Sequence, residues 1–254
     1  MPQDTYIGKS LEEYGEYSEE EFQIMAQVCG PGDRIVEVGS HVGALAVPLA
    51  QRVGETGQII CFEPQPSLFQ LLCANMSLNG ISHSRCFSVG VGEKEGSAFI
   101  PPINYKSPGN FGSLNLESFQ QGEQVPVVAL DKFLTLPSLR LLKIDTEGME
   151  EKVLQGAQGL IAHHRPYLYV ENDRFDRSES LIRKIMSLGY RVYWHFPSLF
   201  NPENFARNQT NHFPHHVSSN MFCIPQERSD QVSGLQESLD PTFHPVERHL
   251  KERQ

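Results

Sequence analysis

Short apolar runs alternate with amphipathic stretches between residues 34 and 225, and the spacing predicts strands alternating with helices. Residues 34–38, 58–62 and 85–89 read as strands. They are almost continuously apolar, as strands covered on both faces are. Between them, residues 44–52 have helical spacing interrupted by Pro48, and residues 66–78 form a helix closed by Asn79-Gly80. The regularity lapses from Gly92 to Gly122, where PPINYKSPGNFGS is rich in turn formers and predicts a long loop. Strands return at 125–130, 139–144 and 167–170, with a short amphipathic piece at 132–136 and helices at 150–163 and 178–188. Residues 190–196 and 221–224 read as a final antiparallel pair around a His- and Asn-rich insert, 197–219. Upstream, Ser18 and Glu21 have the spacing of a capping box for a helix that Gly30-Pro31-Gly32 stops.

This alternation predicts an α/β fold, a mostly parallel sheet with helices on both faces. The organisation expected is an N-terminal helical extension over 1–32, one core domain over 33–225, and a charged tail over 226–254. A formal charge of −10 argues against a nucleic-acid partner, because such binding is driven by basic surface. The five cysteines are scattered with no CxxC pair, so free thiols in a reducing compartment are expected. No apolar run approaches the ~20 residues needed to span a bilayer, and no leader pattern opens the chain. A cytoplasmic protein is therefore expected, and the sequon at Asn208 is read as a chance match.

In an open parallel sheet the ligand lies beyond the carboxyl ends of the strands. Those ends carry Glu37, Gly39, Ser40 and His41; then Glu63 and Pro64; then Gly90, Val91 and Gly92; then Asp145 and Glu147; then Glu171, Asn172 and Asp173. Acids at four of five strand ends exceed what solubility asks. A carboxylate ending the second strand is placed to accept both ribose hydroxyls of an adenosine, which assigns that role to Glu63. The first turn reads ExGxxxG, not the GxGxxG that holds a pyrophosphate. An acid before the turn suits an ammonium such as that of S-adenosylmethionine and repels a pyrophosphate.

VEVGSHVG, FEPQP, NFGSL, and above all LLKIDTEGMEEKVLQGA followed by PYLYVEND resemble the FkbM-type methyltransferases. The resemblance runs from the YGEY stretch to NMFCIP. It implies a Rossmann-like class I methyltransferase fold, with a seven-stranded sheet and an antiparallel last strand. It also implies S-adenosylmethionine as cofactor and O-methylation of a sugar or small metabolite. By resemblance, Glu37, Gly39, Ser40 and Gly43 hold the methionine end, Glu63 the ribose, and Gly90, Val91 and Gly92 the adenine, with Pro64 a further cofactor-side residue. The family more often has Asp at position 37 and Ala-Asn at positions 40 and 41, where this chain has Ser40-His41.

Methyl transfer to a hydroxyl needs alignment and a base or Lewis acid near the acceptor. Asp145, which is also a cofactor-side candidate, is the candidate base, or with Glu147, Glu171 or Asn172 a cluster of oxygen ligands suited to Mg²⁺ or Ca²⁺. His41 is a second candidate base. Glu147, Glu150 and Glu151 equally suit a helix N-terminus. His195, His212, His215 and His216 lack a zinc spacing. The insert with Trp194, Phe196, Phe200 and Phe213 is expected to wall the acceptor pocket, closed on the other side by Tyr14 and Glu16. The partner expected is a small-molecule or glycan acceptor, with homo-oligomer formation left open. Two other readings stand beside this one: a nicotinamide-dependent oxidoreductase, and a non-catalytic module that binds an adenosyl ligand.

Overall fold

The computed structural model describes residues 3–214, 216–230 and 234–246. The chain begins with two helices, α1 (Ile7–Tyr14) and α2 (Glu19–Val28), and then enters the alternating core. This runs β1 (Arg34–Val38), α3 (Ala46–Val53), β2 (Gln58–Phe62), α4 (Pro66–Leu78) and β3 (Ser84–Phe87). Next come three strands that the main sheet does not include: β4 (Gly90–Val91), β5 (Gly96–Ile100) and β6 (Glu123–Val128). The core resumes with α5 (Leu130–Phe133), β7 (Leu141–Ile144), α6 (Glu150–Gln155), α7 (Gln158–His164), β8 (Tyr167–Glu171) and α8 (Phe175–Ser187). It ends with β9 (Tyr190–His195), β10 (Asn220–Pro225) and β11 (Gln236–Glu237).

The main sheet has the order β3-β2-β1-β7-β8-β10-β9-β11. The pairings from β3 to β8 are parallel, and β10 runs antiparallel to both β8 and β9. The near-continuous apolarity of the strands follows from two covered faces. Ile35, Ile59, Leu141 and Phe222 face one way, onto Met25 of α2 and Leu49 of α3. Val36, Ile60, Leu142 and Leu168 face the other way, onto Val153, Ile161 and Ile182 of α6, α7 and α8. Chain order reverses between β1 and β7, which opens a crevice at their carboxyl ends. Pro48 is tolerated because it is the third residue of α3, where no intrahelical partner for an N–H exists.

Several expectations are corrected. The sheet has eight strands, because β11 pairs antiparallel with β9 in the segment expected to be tail. That segment is fastened by polar contacts that leave no apolar period: Arg191 donates to the carbonyls of Arg228 and Asp230, and Arg140 and Arg228 both lie over the Tyr167 ring. The stretch expected to be one loop contains the strand β5, which joins β4 and β6 on either side of it in a second sheet of order β4-β6-β5. The predicted helix 150–163 is two helices. Its break at Gly156 lets the backbone approach residue 92, where a Cβ would meet the Gly92 oxygen at 2.1 Å. Asp131 then caps the second helix, accepting from the N–H groups of Gly159 and Leu160 at 2.7 and 2.8 Å. The capping box is not formed, since Ser18 donates its hydroxyl to Glu21 and sits at φ +46°. Among the described residues no helix is long and apolar enough to cross a membrane.

Candidate active site

The turn after β1 fixes the floor of the crevice. Gly39 has φ +84°, and a Cβ there would lie 1.8 Å from the carbonyl oxygen of Asp145. Only glycine permits both the conformation and the approach. The N–H groups of Gly39 and Ser40 both donate to the Phe62 carbonyl at 3.0 Å, which locks the turn against β2. Glu63 follows directly. Its two carboxylate oxygens accept from the N–H groups of His41 and Gln65, each at 2.8 Å, and the residue is 4% exposed. Each oxygen keeps a lone pair for a further donor.

Above this floor is a cavity of about 350 Å³. Glu37, Gly39, Ser40, His41, Glu63, Asp145, Glu147 and Glu171 line it, together with Lys143, Asp173 and Arg174. A narrower recess continues from it past Pro64, Gly90 and Val91, walled by Phe62, Leu116 and Met149. The structure thus brings together most of the residues singled out in the sequence. Three lie elsewhere. Gly43 packs the turn on α4, where a Cβ would meet Leu72 at 2.8 Å. Gly92 lines neither the cavity nor the recess and donates its N–H to the Val128 carbonyl. Asn172 turns its amide away to the Ser178 hydroxyl and the Met221 sulfur.

Three segments cover the cavity. Asp4 accepts from the N–H groups of Tyr6, Gly8 and Phe111, tying the chain start to the 101–113 loop. Gln65 donates to the Phe111 carbonyl and accepts from the Tyr105 hydroxyl, tying the same loop to β2. Tyr6 stacks on His216 at 4.3 Å, joining the chain start to the insert. Tyr14, Glu16, Phe200 and Phe213 do not line the cavity as expected but fasten the insert: Tyr14 packs among Phe200 and Phe213, and Glu16 accepts from Asn201 and Phe205. Trp194 and Phe196 stack on each other in the main core and form no wall either. Of the histidines, His195 meets the Tyr169 hydroxyl, His212 faces Glu13 and His216 reaches the cavity; His215 lies outside the described residues.

The charge pattern is unusual for a crevice of this size. Glu147, Glu171 and Asp173 each place an oxygen within 4.8 Å of the others. Arg174 pairs with Glu147 and lies 3.3 Å from Asp173. Burial pushes Glu147 up to about 8, helped by Asp145 and Asp173 and opposed by Arg174. Burial, and then the Asp145 charge, raises Glu171 as well. Glu63 is pushed up to about 7 by burial against its two backbone N–H bonds, and Glu21 to about 7 by burial against Lys143. Burial lowers His41 to about 4, so its imidazole is neutral at pH 7, and both ring nitrogens are without hydrogen-bond partners.

A stability prediction follows with a definite sign. Glu21, Glu63 and Glu147 hold protons in the folded chain at a pH where the unfolded chain, near the ordinary 4.5, has released them. Their contribution is fully present below about pH 4.5 and is lost as pH rises through 7 and 8. The ligand-free protein is therefore expected to unfold at lower denaturant concentration at pH 8 than at pH 6. A denaturant midpoint that is flat or rising over this interval would contradict these protonation states.

Lys143, Asp173 and Arg174 are site residues to which the sequence assigned no role. Lys143 does carry a signal, because one lysine interrupts the apolar strand LLKI.

The strand order, with parallel pairing across β1, β2 and β7 and an antiparallel β10 between β8 and β9, is the class I methyltransferase fold. The family model described as the methyltransferase FkbM domain matches residues 37–192, more than half of the chain, and the chain belongs to that family. The fold is similar to that of methyltransferase FkbM from Methylobacillus flagellatus, with a TM-score of 0.53 at 16% identity over 79% of this chain and 50% of that one. The chain thus spans half the length of that relative. It is similar also to precorrin-6y C5,15-methyltransferase from Geobacter metallireducens, with a TM-score of 0.50 at 10% identity, over 84% of this chain and 95% of that one. No curated protein matches the chain.

Proposed function

We propose that the protein is an S-adenosylmethionine-dependent O-methyltransferase acting on a hydroxyl of a sugar, glycan or small metabolite. The observation that carries this reading is the placement of Glu63. It is a buried carboxylate at the end of β2, held open by two backbone N–H groups, between the glycine turn and an apolar recess. That is the arrangement a ribose and its adenine require. The cavity beyond it is lined by more acids than cations, which favours the cationic methionine end and disfavours a pyrophosphate. The five cysteines are free, which agrees with a reducing, cytoplasmic setting.

Methyl transfer is an in-line displacement at an activated sulfonium. The cofactor supplies the methyl group, and the protein supplies alignment and takes the acceptor's proton. Asp145 is the base in this reading, since its side chain is 38% exposed and lines the cavity. The neutral His41 imidazole offers a second proton acceptor on the same wall. The covering segments present Asn110, Ser113 and Ser218 to the acceptor, polar groups that suit a polyol. A divalent metal would be held by Glu147, Glu171 and Asp173, whose oxygens suit Mg²⁺ or Ca²⁺ and would lower the acceptor's hydroxyl pKa. Arg174 already balances part of that charge, so the reading requires no metal.

The test is calorimetric titration with S-adenosylmethionine, S-adenosylhomocysteine and NADH, with and without EDTA. Micromolar binding of both adenosyl ligands and none of NADH is expected, and Glu63→Gln should weaken it by about tenfold or more. Binding of NADH alone would replace the reading with an oxidoreductase. No binding at all would leave a silent module. Sensitivity to EDTA would assign a metal to the acid trio.

A further inference from the structure

Lys143 stands in an otherwise apolar strand whose Leu141, Leu142 and Ile144 are fully buried. Its own side chain is 3% exposed, and an ammonium is retained there only if partners replace its lost hydration. Asp145 Oδ2 does so at 3.1 Å on the same strand, and Glu37 Oε1 at 3.6 Å across the register pair of β1 and β7. Glu21 of α2 acts on it as a third acid. Burial works against the charged form, but these three carboxylates outweigh it and raise the lysine. One cation therefore ties the strand of the glycine turn to the strand carrying Asp145. The second oxygen of Glu37 is buried without a partner, on a side chain that lines the cavity. A buried acceptor lacking a donor calls for one from a ligand.

We propose that Lys143 is a positioning residue: its ammonium fixes Glu37 to receive the cofactor's ammonium and Asp145 to face the acceptor hydroxyl. This rests on the reading of the cleft as an S-adenosylmethionine site. The other titratable groups around Lys143, Glu37 and Asp145 are Tyr169 and Glu171 on β8, Cys61 on β2 and Glu63 just after it, His41 in the turn after β1, and Tyr17 and Glu21 from the N-terminal segment. None of these supplies a positive charge to Glu37: the two phenols and Cys61 are held above their ordinary values, His41 is neutral, and any of the three carboxyls that ionises adds negative charge. Burial already raises Glu37, and Lys143 is the main group opposing that rise; without it the carboxyl holds its proton more firmly and loses its attraction for the ligand.

The experiment titrates S-adenosylhomocysteine into wild type, Lys143→Met, Glu37→Gln and the double variant between pH 6 and 9. Lys143→Met is expected to bind about tenfold or more weakly at pH 7, with its affinity–pH curve moved up by about one unit. Glu37→Gln removes the group through which Lys143 acts on the cofactor, so adding Lys143→Met to it should change affinity less than about twofold. The double variant also removes one of the carboxylates left unpaired, which keeps the comparison available if Lys143→Met alone fails to fold. Wild-type affinity and pH curve in Lys143→Met, or losses that simply add in the double variant, would reduce Lys143 to a structural role. A wild-type protein that binds no S-adenosylhomocysteine would instead overturn the cofactor reading, and this proposal with it.

Discussion

Gly39→Ala is expected to abolish binding of adenosyl ligands and to lower the unfolding midpoint by several degrees. The backbone at position 39 has φ +84°, which costs an L-residue roughly 1–2 kcal/mol by itself. The larger effect is steric. A Cβ would sit 1.8 Å from the Asp145 carbonyl oxygen, well inside contact distance, and both atoms belong to backbone. Relief requires β1 and β7 to separate at their carboxyl ends. That separation would break the Asp145 N–H bond to the Val38 carbonyl, now 3.0 Å, and displace the Asp145 side chain. Floor and ligand site would fail together, because the same turn builds both. Thermal unfolding alongside calorimetric titration reads both effects. A variant with wild-type midpoint and affinity would show that the turn relaxes freely, and the cleft would then lose its rigid floor.

Gly39 also shows what the sequence could reveal. A glycine after an apolar run ending in an acid predicts a tight turn, and the burial of β1, β2 and β7 on both faces is written in their near-continuous apolarity. Features set by contacts distant in the chain were not legible. Gly43 has the spacing of a ligand-facing glycine, yet its missing side chain accommodates Leu72, 29 positions away. The strand Gly96–Ile100 lacks an apolar period because two of its five residues are exposed, and it exists through pairing with β6. β11 is two exposed residues held by edge pairing and by arginine–tyrosine stacking nearby. The strand-end acids were readable as a group, whereas their division was not. β8 ends at Glu171, and just beyond it Asn172 faces the core and Asp173 the cleft.

Asp145→Asn is expected to reduce methyl transfer by about 10²–10⁴ while leaving S-adenosylmethionine affinity within about tenfold. The substitution isolates the proton-accepting role because the amide is isosteric. Its carbonyl oxygen can still accept from Lys143, as Oδ2 now does at 3.1 Å, and the backbone carbonyl beside Gly39 is untouched. What disappears is the carboxylate's ability to take a proton from the acceptor hydroxyl. The loss should therefore fall on kcat, with KM for the cofactor little changed, once an acceptor has been found by transfer of labelled methyl groups to a panel of sugars. A variant that loses affinity and turnover equally would place Asp145 in ligand binding. Near-normal turnover would remove it from the mechanism and leave His41 as the base. That imidazole is suited to the role, being neutral, buried on the same wall, and without a hydrogen bond on either nitrogen, with the Asp4 carboxylate 3.9 Å from Nε2.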